Sequence, residues 1–294
     1  KSDKPVYAAI APAITGQFGP DLPPNKIKSA FKALGFKDAI EVAIGADLCT
    51  VQEAADFIDE VPEKQPFMAT SCCPAWSMMA KKLFPEEAKC ISMALTPMVL
   101  TGRMLKDKEP DCYVAFIGPC AAKKLEASRR TIRSDIDFVL TFEEVMGMFK
   151  AKDINFKELP EDRSMHGASG DGRGFAVSGG VATAVANVLK EKYPEREVKM
   201  ASAEGLAECR KLLAAAKAGK YDGYLLEGMA CPGGCVAGAG TLQPIKKSQA
   251  AINLQKKNST SAHASASDYI EYLPTLEEKY NTMKAELKKE YEES

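Results

Sequence analysis

Along this chain short apolar runs alternate with longer stretches of helical periodicity, the pattern of an α/β fold with mainly parallel strands. Strands are expected at residues 6–14, 67–71, 113–118, 138–140, 175–177 and 224–227. Three Thr-x-x-Glu segments, Thr50 to Glu53, Thr141 to Glu144 and Thr275 to Glu278, have the capping-box spacing that opens a helix. The helix expected over 275–292 places Leu276, Tyr280, Met283, Leu287 and Tyr291 on one face, to be packed on the domain. Residues 258–267, small and polar, read as a surface loop.

Composition narrows the classes. Hydrophobic residues make up 46% and charged residues 27% of the 294 positions, as in ordinary globular proteins. The 39 basic and 40 acidic side chains nearly cancel, which argues against a nucleic-acid partner. No apolar run reaches the ~18–20 residues that cross a membrane. The apolar stretch near the N-terminus is short and broken by Pro12, so a buried strand is favoured over a signal peptide and the expected compartment is the cytoplasm. Nine cysteines against two histidines, His166 and His263, point to a reduced, thiolate-based metal site rather than disulfides or a histidine-rich centre. The glycine turn at 178–181 completes neither GxGxxG nor GxxxxGK[ST], so close helix–strand packing is expected there rather than a nucleotide.

The chemistry concentrates in three segments, each directly after an expected strand. They are Thr70-Ser-Cys72-Cys73-Pro-Ala-Trp76, Gly118-Pro119-Cys120-Ala-Ala-Lys123-Lys-Leu-Glu126, and Glu227-Gly-Met229-Ala-Cys231-Pro-Gly-Gly-Cys235. Loops at strand C-termini converge at one edge of an open parallel sheet. Thiolates are soft ligands that select iron–sulfur clusters, zinc or Cu(I). Zinc fingers present two close pairs, whereas here Cys231 and Cys235 form the one close pair and the other cysteines lie far upstream. That scatter suits a buried cluster. Cys49, Cys90, Cys112 and Cys209 lie in no loop motif and read as small buried hydrophobes.

Together the three segments resemble the signatures TSCCPxW, PCxxKxxE and ExMACxxGCxxG of the iron-only ([FeFe]) hydrogenase family, in the same order. The similarity runs from Ala11-Pro12 through Gly35 and Gly45-Ala-Asp47-Leu48 to Gln243-Pro244. The resemblance implies a two-lobed catalytic domain over residues 1–294, its parallel sheets flanked by helices, the lobes changing near residue 100 and the cluster site between them. It implies a [4Fe–4S] cluster on Cys73, Cys120, Cys231 and Cys235, with Cys235 bridging to a two-iron unit that carries carbon monoxide, cyanide and a bridging amine-dithiolate. Ala11, Pro12, Thr96, Pro97, Gly118, Pro119, Lys123 and Met229 would surround that unit, with the Lys123 ammonium directed at cyanide. Cys72 would shuttle protons, and the relay would continue through Glu53, Ser92, Asp56 and Glu126. Glu53 equally closes the Thr50 capping box.

The departures from the family pattern are Ala13 where a serine is frequent, Thr96 before Pro97 where serine is usual, Glu60 in place of arginine, Gly118 in place of methionine, and an insertion at 238–243. They imply a divergent subgroup. The reaction implied is reversible formation of hydrogen from two protons and two electrons, with maturation proteins to supply the two-iron unit. Electrons would come from an external carrier such as a ferredoxin, or from an iron–sulfur module not in this sequence. A hydrogen sensor and an iron–sulfur assembly factor are the rival readings.

Overall fold

The computed structural model describes residues 3–129, 134–162, 165, 167–276, 278–279 and 281–282. Two parallel sheets organise it. The first has strand order β2-β1-β4-β5, with β1 at Val6–Ile10, β2 at Asp38–Glu41, β4 at Tyr113–Ile117 and β5 at Phe138–Leu140. The second has order β3-β7-β6, with β3 at Met68–Ala69, β6 at Lys199–Glu204 and β7 at Tyr224–Met229. All pairings are parallel.

Strand alternation sorts the apolar side chains into three cores. In the first sheet Ala8, Ile10, Ala115 and Ile117 face outward to Phe31, Phe142, Phe149 and Ile252. These belong to α1 (Pro24–Leu34), α6 (Phe142–Ala151) and α10 (Ile245–Lys257). Ala9, Val114 and Phe116 face the opposite way, into a core shared with Met68 and Leu225 of the second sheet. That central core is filled by α2 (Val42–Glu60), α4 (Pro97–Lys108) and α8 (Gly180–Lys192). Phe67, Ala69 and Leu226 face a third core with α3 (Pro74–Leu83) and α9 (Leu206–Lys217). Most of α2 is buried, as a helix sandwiched between two sheets must be. Gly45 lets it cross α4, since a Cβ there would lie 2.3 Å from the Pro97 carbonyl oxygen.

Several expectations are corrected. β1 stops at Ile10 because Pro12, without an N–H, opens a 3-10 turn over Pro12–Ile14. Residues 175–177 are not a strand: they follow the short helix α7 (Gly170–Gly174) in turns that bond back to it. β2 and β6 appear where no strand was expected. Thr50 is no cap; it lies inside α2 with its hydroxyl donating to Ala46 O at 2.7 Å. The Thr141 capping box forms with both bonds in place. Thr275 lies within helical residues 273–276, with Leu276 buried, whereas Tyr280, Met283, Leu287 and Tyr291 lie outside the described residues. The 258–267 loop is anchored: Gly170 N and Asp171 N donate to Ser261 O and Ala262 O, and Ala264 is fully buried. The chain passes between the two sheets more than once. Residues 113–140 return to the first sheet, and β3, from residues 68–69, belongs to the second.

Candidate metal centre

Register brings the three cysteine loops together. Ile10 pairs with Ile117 at the ends of β1 and β4, so Ala11-Pro12 and Gly118-Pro119 leave the first sheet side by side. Ala11 N donates to Ile117 O at 2.8 Å. In the second sheet Ala69 pairs with Leu226, and β3 and β7 run out toward Cys72-Cys73 and Cys231. Each loop is pinned by its own sequence. Cys73 occupies the N-cap position of α3, with Pro74 at N1. Trp76, fully buried, donates from Nε1 to Thr70 O and lies over Gly228, where a Cβ would come within 2.2 Å of the indole. Lys123 N donates to Cys120 O as α5 (Ala122–Ala127) begins. Gly238 and Gly240 pack against Pro119 and Thr141, fixing the Cys120 loop from beneath.

The Cys231–Cys235 loop needs its glycines. Gly233 and Gly234 have φ of 92° and 93°, in the left-handed range where a Cβ is strained. A Cβ on Gly234 would also meet Ser178 N at 2.5 Å. Gly233 N donates to the Glu204 carboxylate at 2.9 Å, and Ser178 N to Gly233 O. Glu227 closes the opposite side of the glycine turn, its two oxygens accepting from Gly179 N and Ala182 N at 2.7 Å each. That carboxylate fills the N-terminus of α8. As expected, the turn serves packing: a Cβ on Gly180 would lie 2.0 Å from Gly174 O.

All nine cysteines are free thiols. Cys49, Cys90, Cys112 and Cys209 are buried, as expected, whereas Cys72, Cys73, Cys120, Cys231 and Cys235 keep accessible surface. For Cys72, Cys120 and Cys235 that surface faces a cavity of about 70 Å³, several times the ~10–15 Å³ that one water requires. Ala11, Pro12, Pro97, Phe116, Pro119, Lys123 and Phe175 also line it. Thr96, Gly118 and Met229 are not among its lining residues. Burial pushes the Cys235 and Cys231 thiols up, and the nearby Cys120 and Cys73 add to the shift. Four thiols this close repel one another as anions, so a cationic iron core is what would relieve them. Among the described residues no three Cys, His, Asp or Glu side chains approach closely enough to hold a single metal ion. A cubane takes one thiolate per iron and so spreads its ligands over more space than a single ion does. The donor set fits the cluster.

Beside the thiols lie two buried charged groups. Lys123 Nζ is 2.6 Å from Glu126 Oε2 and donates to Cys72 O at 3.3 Å. Burial alone would lower the lysine, but Glu126, with Cys120 and Cys72, holds it above its ordinary value. Thr96 Oγ1 donates to Glu126 Oε1, so Glu126 belongs with Lys123 rather than with the Glu53 end of the expected relay. Glu53 is fully buried on α2 and its Oε1 accepts from Ser71 N and Ser71 Oγ at 2.9 and 3.0 Å. Among the described residues its Oε2 has no hydrogen-bond partner. Burial raises its pKa to about 7, against the Ser71 bonds, with Asp56 adding to the rise. Burial likewise drives the Cys72 thiol well above its usual value, with Glu53 and Cys49 adding repulsion. Asp56 sits one turn beyond Glu53 on α2. Ser92 is nearby, Ser92 N donating to Ala69 O, but its hydroxyl accepts locally from Ala94 N.

A sequence profile of the iron only hydrogenase large subunit, C-terminal domain, matches residues 4–239. The chain belongs to this family. It is 28% identical to iron hydrogenase 1 of Clostridium pasteurianum, over 86% of this chain and 53% of that protein. It is 30% identical to the periplasmic [Fe] hydrogenase large subunit of Nitratidesulfovibrio vulgaris, over 75% and 62% respectively. The chain thus spans a little over half the length of these relatives. The cytosolic Fe–S cluster assembly factor NAR1 of Kluyveromyces lactis is 29% identical over 59% of this chain. A variant of apo [FeFe]-hydrogenase HydA1 from Chlamydomonas reinhardtii superposes with a TM-score of 0.74 at 23% identity, covering 92% of this chain and 89% of that one, which establishes the shared fold.

Sequence reasoning missed four contributors. Ser71 anchors Glu53, Glu204 anchors Gly233, Cys49 lies near Cys72, and Phe116 walls the cavity. Ser71 was inside a quoted motif and could have been singled out. Phe116 gave only the strand alternation, and Glu204 no signal at all. Among the described residues no helix is long and apolar enough to cross a membrane.

Proposed function

We propose that the chain holds a [4Fe–4S] cluster on Cys73, Cys120, Cys231 and Cys235 and, through Cys235, a two-iron unit, and that it interconverts two protons and two electrons with hydrogen. The observation that carries this reading is the gathering of these loops, with Cys72 and Lys123, around one cavity, and of Glu53 behind them. The bound iron unit, with its carbon monoxide, cyanide and amine-dithiolate ligands, would supply the redox and hydrogen-activating chemistry.

The chain's part is to hold, orient and move protons. A single protein thiolate leaves such a unit dependent on its surroundings. Lys123 brings a positive charge that Glu126 keeps ionised, suited to an anionic ligand. Cys72 stays a protonated thiol, able to give and regain its proton. Glu53, poised at about 7, populates both forms near neutrality, and its unpartnered Oε2 is free to take the proton. Asp56 continues the route along α2. Electrons would arrive from a ferredoxin-like carrier or an iron–sulfur module, and maturation proteins would deliver the two-iron unit.

The similarity to NAR1 favours a second reading, an assembly factor without the two-iron unit. Infrared spectroscopy after loading with a synthetic two-iron complex separates them. Carbonyl and cyanide stretches with hydrogen turnover are expected; a loaded sample without those bands overturns the hydrogenase reading.

A further inference from the structure

Phe116 and Gly118 lie two residues apart at the end of β4, on one face of the chain. Phe116 is 4% exposed. A Cβ on Gly118 would lie 2.5 and 2.7 Å from Phe116 Cε1 and Cζ, and 3.2 Å from Ala11 Cβ. Gly118 is not among the positive-φ glycines, so it is space rather than backbone conformation that requires a glycine here. The same phenyl ring lines the cavity together with Cys72, Cys120, Lys123 and Cys235.

We propose that Phe116 sets the free volume of this cavity, and so the size of ligand that fits beside Cys235, with Gly118 providing the clearance its ring needs. Of the larger apolar side chains that line it, Val42, Met98, Phe116 and Phe175, Phe116 is the one seated against Gly118. Ala11, Pro12, Ala13 and Ala176 are short, and Lys123 is committed to Glu126. The space of about 70 Å³, apolar but for the thiols and one ammonium, suits diatomic ligands of the carbon monoxide and cyanide class. This ligand class rests on the function proposed above; the steric claim does not. Removing the ring would open a volume of the kind that admits xenon or benzene, on the order of 150 Å³.

The test uses the full chain reconstituted with iron and sulfide, as wild type, Phe116→Ala, Gly118→Leu and the double variant. Thermal midpoints and xenon uptake, read by xenon NMR, are the measurements. Gly118→Leu is expected to lower the midpoint by several degrees in the wild-type background and by less than half as much once Phe116 is alanine. Phe116→Ala should take up more xenon than wild type, and the double variant, its space refilled by leucine, should take up less than Phe116→Ala. Should Phe116→Ala fail to fold, Phe116→Leu supplies the same comparison with a smaller gain in volume. Equal losses from Gly118→Leu in both backgrounds, or unchanged xenon uptake in the Phe116 variants, would overturn the proposal. Absence of infrared bands in loaded wild type would defeat the hydrogenase reading while leaving this steric coupling in place.

Discussion

At the scale of single residues, Glu53 is the most informative side chain. Half of its carboxyl group is satisfied by Ser71 and, among the described residues, the other half has no partner, an arrangement that costs stability and is typical of functional sites. Glu53→Gln preserves an acceptor for Ser71 but cannot carry a proton. Hydrogen turnover of the loaded protein is therefore expected to fall ~10²–10⁴-fold with iron content unchanged. Cys72→Ala should behave alike, and full turnover in either variant would remove that residue from the route. Asp47 offers a comparison that is not part of the cavity lining. Burial lifts it from 3.8 to about 7 even though Ser169 donates to both of its oxygens. Between the unfolded and folded values the folded chain binds the extra proton, so the stability linked to Asp47 is present below roughly pH 4 and drains away as pH rises to 7. Asp47→Asn should gain on wild type by a few kcal/mol in urea unfolding of the iron-free chain between pH 4 and pH 7.5. A difference that stays flat across that range contradicts the assignment.

At the scale of elements, the sequence pattern was most legible where strands are buried on both faces. β1, β4 and β7 are continuous apolar runs and were found. β2, Asp-Ala-Ile-Glu, and β6, Lys-Met-Ala-Ser-Ala-Glu, are edge strands whose polar residues face solvent or charge partners, and no apolar run marks them. Phe175, Ala176 and Val177 misled in the opposite sense: they are apolar because they pack beside the cavity and the Cys235 loop, not because they pair in a sheet. Glu53 reads two ways because Thr50 stands three residues before it, but Thr50 bonds back within α2, so no capping box forms there. Glu227 was legible only as a motif letter. Its role is to terminate α8 and so to hold the turn that backs the Cys231–Cys235 loop. Glu227→Ala strips two buried N–H groups of their acceptor, an expected loss of ~2–4 kcal/mol. Iron retention after dialysis should drop with it. Stability falling without any change in iron retention would separate the helix from the cysteine loop.

At the scale of the molecule, the two sheets face each other across one layer of helices, and the thiols sit where the strand ends of both open. A cubane takes one thiolate per iron, so the full set of four proposed ligands should be needed together. Reconstitution is expected to give about four irons per chain and a single cubane signal in electron paramagnetic resonance. Cys231→Ser/Cys235→Ser should abolish both, and a second, magnetically coupled cluster would refute the count. The four remaining cysteines offer no alternative, since they are buried in the cores. The pairing of β3 with β7 carries a consequence for synthesis. Met68 and Ala69 wait for Leu225 and Leu226, more than 150 residues later, before they have a partner strand. At ~5–20 residues per second that is about 8–30 s of translation. Throughout it Cys72 and Cys73 follow a strand held only by the short Ala69–Ile91 bridge, open to oxidants and stray metal ions. The thiols cannot be gathered until Cys235 has been synthesised and has left the ribosome, so iron loading follows synthesis of this whole stretch and the nascent chain depends on a reducing environment until then.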